Sequence, residues 1–216
     1  MDCSLLTESD SKPEYAALPG QGLTKEEAFR RVLEGHWRYL DNNRLNRVVT
    51  SDDRQRHVEG QYPFASILGC ADSRVSPEVI FDQGQGDLFV VRVAGQVVGE
   101  FEIASLEYSV EHLGVSLIIV MGHENCGAVK AAIEAGEVDG AIGSLIKEIK
   151  PAVELAESME GDLLPNAVRS QVVLAVDNLV DRSPLLQEAV DAGRLRIIGL
   201  IYGLSDGDLD IRKTIG

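Results

Sequence analysis

Two short stretches carry residues whose types and spacing could do chemistry together. The first reads Ser66-Ile67-Leu68-Gly69-Cys70-Ala71-Asp72-Ser73-Arg74. An apolar run ends on a cysteine, and an acid and a base follow at two-residue steps. The second reads Leu117-Ile118-Ile119-Val120-Met121-Gly122-His123-Glu124-Asn125-Cys126-Gly127. Here an apolar run ends on a histidine, with a cysteine three positions on. Two thiols and an imidazole form a ligand set for zinc, which takes Cys, His and carboxylate ligands in tetrahedral geometry. A structural zinc site is filled by four protein ligands, whereas a catalytic one keeps a position open. The remaining cysteine, Cys3, lies in a polar N-terminal stretch. The chain therefore supplies three ligands, Cys70, His123 and Cys126, and the fourth position falls to water, substrate or Asp72. A metal held in this way generates hydroxide from bound water at neutral pH. A lone buried cysteine is an ordinary small hydrophobe. A cysteine plus His-x-x-Cys at two strand ends is not. His123 and Cys126 are expected at the start of a helix, on one face. Asp72 and Arg74 form either a weak surface ion pair or a clamp that fixes the carboxylate beside the metal.

Two phosphate-binding patterns are excluded. Gly84-Gln85-Gly86 lacks the third glycine, since Phe89 stands there. Gly122 and Gly127 have P-loop spacing, but Ala128 occupies the position that needs lysine. A redox pair is also excluded, because no Cys-x-x-Cys occurs.

Alternating strand and helix patterns surround these stretches. Thr24-Lys25-Glu26-Glu27 is a capping box. Behind it Phe29, Val32, Leu33, Trp37 and Leu40 recur at helical spacing. Residues 44–60 have weak periodicity and suggest a surface loop or a short helix. Strands are predicted over 64–69, 88–93, 115–121 and 194–204, with an edge strand over 208–211. Helices are predicted over 101–113, 126–135, 141–159, 165–181 and 184–192, with a helical turn over 77–81. The expected fold is α/β: a mainly parallel β-sheet of four strands plus an antiparallel edge strand, flanked by helices, with an N-terminal helical arm. Residues 1–22 are expected to be a loose arm and 23–216 a single domain. Ligands in such sheets sit at the carboxyl ends of strands, near the point where strand order switches.

The chain has 216 residues, 44% hydrophobic and 25% charged, with net charge −15. That charge argues against nucleic acid, which calls for basic patches, and against anionic membrane surfaces. A neutral small substrate is indifferent to it. No secretory signal or membrane span is read, and three cysteines suit a reducing compartment. A cytoplasmic location is expected.

The combination Cys70-x-Asp72-x-Arg74 with His123-x-x-Cys126-Gly127 resembles the β-class carbonic anhydrases. The likeness runs from about Thr24 to the end. It includes Gly86-Asp87-Leu88-Phe89-Val90-Val91-Arg92, Ser105-Leu106-Glu107-Tyr108 and the strand from Ile197 to Tyr202. The resemblance implies one Zn²⁺ per chain, on Cys70, His123 and Cys126, and an orienting dyad of Asp72 and Arg74. It makes Gln61, nine residues before Cys70, the donor to the substrate oxygen. Phe89 and Tyr108 would line an apolar pocket, some of it reached across a dimer interface, and the Gly127 N–H would face the substrate. His112 matches a suggested proton-shuttle position, whereas His36 and His57 match nothing catalytic. A subgroup inhibited by bicarbonate needs tryptophan three residues before the first cysteine. Ile67 stands there, so Arg92 and Tyr202 lack their third member and the open, plant-like form is implied. The family's usual Arg-Asn-(Val)-Ala reads Arg92-Val93-Ala94-Gly95 here, a departure expected to touch no ligand.

The implied activity is reversible hydration of CO₂ to bicarbonate by a zinc-bound hydroxide, in a homo-oligomer, a dimer or a dimer of dimers, with no nucleic-acid or membrane partner. Two alternatives compete. One is hydrolysis of carbonyl sulfide or carbon disulfide on the same scaffold. The other is a zinc-stabilised scaffold without turnover, which has no use for Asp72, Arg74 and Gln61.

Overall fold

The computed structural model describes residues 22–45, 49–136 and 138–216. The expected arm over 1–22 lies, except for Gly22, outside the described residues. Thr24 caps the first helix. Its hydroxyl accepts from the Glu27 N–H at 3.3 Å, and its own N–H donates to the Glu27 carboxylate at 2.9 Å. This helix, α1, spans Lys25–Leu40. It buries Ala28, Val32 and His36, while Trp37, expected on the apolar face, is 60% exposed. The ambiguous 44–60 region contains α2, Ser51–Val58. No residue of α2 is buried, which is why no apolar stripe marked it. A second capping box sets it instead, with Thr50 and Asp53 bonded reciprocally.

Then follow β1 (Ala65–Gly69), α3 (Pro77–Ile80), β2 (Leu88–Arg92), a tight turn at Ala94–Gln96, α4 (Glu100–Glu111) and β3 (Leu117–His123). The chain continues through α5 (Gly127–Glu134), α6 (Ala141–Glu157), α7 (Leu163–Arg182), α8 (Pro184–Asp191), β4 (Arg196–Tyr202) and β5 (Leu209–Ile215). The edge strand is longer than the sequence suggests. Its exposed alternating residues, Asp210 to Thr214, give little apolar signal.

The sheet order is β2-β1-β3-β4-β5, parallel except for β5, which runs antiparallel to β4. Both faces of β1 and β3 are buried throughout. Continuous apolar runs are what a parallel strand covered on both sides requires. On one face Ile67, Ile119 and Met121 pack with Val32 of α1 and Val129 of α5. On the other Leu68, Ile118 and Val120 pack with Leu106 of α4 and Val176 of α7. From β1 the chain moves outward to β2, then returns to the opposite side of β1 to form β3. The strand order therefore reverses between β1 and β3, the place where such sheets open a crevice for ligands.

Helix α7 lies hard against β3. A Cβ added at Gly122 would come 2.4 Å from Val172 Cγ2. Replacing Gly122 by alanine is therefore expected to destabilise the protein by about 1–3 kcal/mol. Urea unfolding measures this. Unchanged stability would show that α7 retreats freely.

Candidate metal centre

Cys70 follows β1 directly, and His123 is the last residue of β3. The two strands are neighbours, so their ends bring the side chains together at the reversal point. Cys126 is the N-cap of α5. The sequence expectation that His123 and Cys126 share a helix face is corrected here. A strand-to-helix turn joins them, with Asn125 in the left-handed region at φ 50°. The one sulfur and nitrogen ligand atom of each residue lie within 4.8 Å of one another, and all three residues are buried. The Cys70 and Cys126 sulfurs are 3.9 Å apart.

The chemistry of this cluster suits a cation. His123 Nδ1 donates to the Glu124 carbonyl at 2.8 Å, since a carbonyl only accepts. That leaves Nε2 with a lone pair, buried and without a protein partner. An unpaired buried acceptor is costly, and a metal would satisfy it. The sulfurs tell the same story. The facing Cys126 thiol pulls the Cys70 thiol well below its usual range, burial opposes this, and His123 and the N–H groups of Gly95 and Asp72 add to it. Cys126 is pushed up by the same pairing with Cys70, by burial and by the negative charge opposite. Without a cation one sulfur ionises at the expense of the other. Zinc fits the donor set of two sulfurs and one imidazole.

Asp72 stands at the rim. Arg74 Nε and a terminal nitrogen donate to its two oxygens at 2.9 and 2.7 Å, and the Arg74 backbone N–H adds a third bond at 3.0 Å. The guanidinium holds the Asp72 carboxyl far below the usual range. Arg74 also donates to the Asn125 carbonyl at 3.2 Å, which ties the dyad to the turn between His123 and Cys126. Asp72 Oδ2 lies 3.8 Å from His123 Nε2.

Two residues named in the sequence for other reasons make contacts it did not suggest. Arg92 donates to the main-chain carbonyls of Cys70 and Asp72 at 2.9 and 2.6 Å and so braces the loop between them. The Gly95 N–H donates to Cys70 Sγ at 3.3 Å. The stretch expected to touch no ligand does touch one, through its backbone. Backbone contacts of this kind leave no side-chain signal in the sequence.

The family model for carbonic anhydrase matches residues 65–209. Carbonic anhydrase 2 of Mycobacterium tuberculosis is 38% identical over 193 residues, which covers 88% of this chain and 93% of that protein. The chain belongs to the β-class carbonic anhydrases. A carbonic anhydrase of Mycolicibacterium smegmatis is 35% identical, with 88% of this chain and 94% of that protein covered. Among solved structures, the Coccomyxa β-carbonic anhydrase in complex with acetazolamide superposes with a TM-score of 0.69 at 28% identity, covering 85% of this chain and 86% of that chain. The fold is also that of a tetrameric β-carbonic anhydrase from Sordaria macrospora, with a TM-score of 0.67 at 23% identity, covering 76% of this chain and 87% of that chain.

The structure also shows the surroundings of the family's other expected residues. Gln61 is exposed in the segment leading into β1. Phe89 pairs in register with Ser66, whose hydroxyl bonds Ser109 of α4, so Phe89 points to the α4 face of the sheet. There its ring packs on Tyr108 at 6.2 Å, and Tyr108 packs on His112 at 5.1 Å. Among the described residues no hydrogen bond or ring contact joins these four to the cluster of the same chain. Gly127 opens α5 with its Cα facing open space. Its N–H is a first-turn donor with no acceptor inside the helix. Of the remaining histidines, His36 is buried with Nδ1 3.1 Å from the Ile80 carbonyl, and His57 packs beside Gly86.

Cys70→Ser is expected to lower bound zinc from about one per chain to near none. Elemental analysis of protein purified with zinc measures this, and full retention would remove Cys70 from the ligand set.

Proposed function

We propose that this β-class carbonic anhydrase hydrates CO₂ reversibly at a zinc ion held by Cys70, His123 and Cys126. The observation that carries the reading is the clamped Asp72 beside an imidazole nitrogen left free for metal. Zinc lowers the pKa of bound water to about 7, the established behaviour of carbonic anhydrases rather than a result of this geometry, and so supplies an oxygen nucleophile at neutral pH.

The chain's own residues do the rest. Asp72, kept ionised by Arg74, accepts a hydrogen bond and aims the lone pair of the attacking oxygen at the substrate carbon. With Asp72 engaged by three bonds from Arg74, it would be held off a bound metal, in keeping with the open form that the resemblance implies through Ile67. Arg92 is committed to the Cys70 and Asp72 carbonyls, and the Tyr202 hydroxyl lies 2.7 Å from that of Tyr39. Both residues of the inhibitory set therefore have other partners. Negative charge develops on the substrate oxygens as the C–O bond forms. The Gly127 N–H and the Gln61 amide donate to it. CO₂ has no charge, so the apolar pair Phe89 and Tyr108 suits it. Because no hydrogen bond or ring contact among the described residues ties that pair or Gln61 to the cluster of their own chain, we assign them to the cluster of a second copy. A dimer is then the smallest complete unit, and the tetrameric fold relative favours a dimer of dimers. His112, its ring tilted against that of Tyr108, passes the proton to buffer. The family points to CO₂ as substrate, with the carbonyl sulfide alternative left to a direct assay. No helix among the described residues is long and apolar enough to cross a membrane, and a cytoplasmic location remains part of this proposal.

Stopped-flow CO₂ hydration across about pH 6–9, run beside a carbonyl sulfide assay, tests the reading. Fast CO₂ turnover is expected. Silence in the first assay and speed in the second would overturn it. Arg74→Ala is expected to keep zinc while activity falls by about 100-fold or more.

A further inference from the structure

Gln171 is a buried polar residue that the chemistry above does not use. It lies on α7, 3% exposed. Its side-chain amide donates to the main-chain carbonyl of Gly95 at 3.2 Å. A carbonyl only accepts, so the amide nitrogen must be the atom facing it. The N–H of the same Gly95 donates to Cys70 Sγ. One residue thus links α7 to a ligand sulfur.

The link runs through an unusual backbone. Gly95 has φ 68°, and Gln96 follows at φ 41°. Two left-handed residues in succession, one of them not glycine, persist only where the surroundings hold them. Here two contacts do so. The Gln171 amide holds the Gly95 carbonyl. The Gln96 side chain packs against β3 beside His123, where a Cβ at Gly122 would come 3.3 Å from Gln96 Nε2. Val172 presses on the same glycine, so the backbone that carries Gln171 is fixed against β3.

We propose that Gln171 is a positioning residue for the metal centre. It latches the Gly95–Gln96 elbow so that the Gly95 N–H stays on the Cys70 sulfur. This rests on Cys70 being a zinc ligand. A donor to a ligand atom fixes its direction and draws charge from it, and loss of such a partner weakens metal binding. The residue acts through Gly95 and touches neither metal nor substrate.

Cobalt substitution reads the sulfurs directly, through thiolate-to-Co(II) charge transfer in the near ultraviolet. Gln171→Met keeps the length and removes the donor. Gln171→Glu keeps the shape and sets an oxygen against the Gly95 carbonyl. Both variants are expected to shift the charge-transfer band and to release zinc to a chelator about 10-fold faster than the parent. Val176→Ala, a buried change on the same helix that faces Gly199 of β4, is expected to lower thermal stability while leaving the band and the release rate unchanged. The proposal is overturned if either Gln171 variant keeps the parental band and release rate, or if Val176→Ala reproduces their changes. Parent protein that binds cobalt without any thiolate band would overturn the metal-site reading itself, and this inference with it.

Discussion

Two sulfurs 3.9 Å apart in a buried site do not both ionise unless a cation lies between them. The surrounding architecture answers that constraint. The sheet reverses its order between β1 and β3, so two ligands leave adjacent strand ends without any long loop to position them. The third arrives three residues later, at a helix N-cap. Two of the three, His123 and Cys70, are then oriented from behind. The Glu124 carbonyl fixes the His123 ring, the Gly95 N–H fixes the Cys70 sulfur, and Arg92 fixes the main-chain carbonyls of Cys70 and Asp72. Outer contacts of this kind decide whether a metal site is merely present or correctly aimed.

The same economy explains the dyad. A free carboxylate two residues beyond Cys70 would be an obvious extra ligand for a zinc ion held there, and a fourth protein ligand would close the site. Arg74 prevents this by taking both carboxylate oxygens in a bidentate geometry that lysine would not reproduce. Arg74 is half-exposed, with 51% of its side chain accessible. The value of the pair is therefore geometric, since exposed ion pairs add little stability. Its additional bond to the Asn125 carbonyl makes the dyad sense the turn that carries Cys126.

Much of this was legible before any coordinates. Cys70 and His123 announce themselves because each closes an apolar run, and Cys126 because it stands three residues after His123. The capping box at Thr24 sets the start of α1. The buried parallel strands read as unbroken apolar runs. Other features were silent for physical reasons. Helix α2 buries nothing, so caps rather than periodicity define it. Trp37 has helical spacing with the core residues, yet it faces outward, since spacing gives the phase of a stripe and not its occupant. Contacts made by backbone atoms, such as Gly95 to Cys70, leave no residue type to read. Gln171 sits in a helix otherwise rich in core residues, and only the fold brings it to the elbow.

The separation of the two halves of the chemistry follows from the sheet itself. Side chains alternate across a strand, so Phe89 cannot share a face with both Val90 and its neighbours under α1. It joins α4 instead, on the layer opposite the cluster core that contains Cys70. Strand β2 is also an edge of the sheet, partly buried over Leu88 to Val91 and exposed at Arg92. Arg92 at the end of this strand braces the Cys70 loop of its own chain, whereas Phe89 has no hydrogen bond or ring contact with that cluster among the described residues and, under the proposed function, offers an apolar wall to the cluster of another chain. On this view association is a requirement of catalysis, because one chain supplies the nucleophile's environment and another supplies the pocket for the gas.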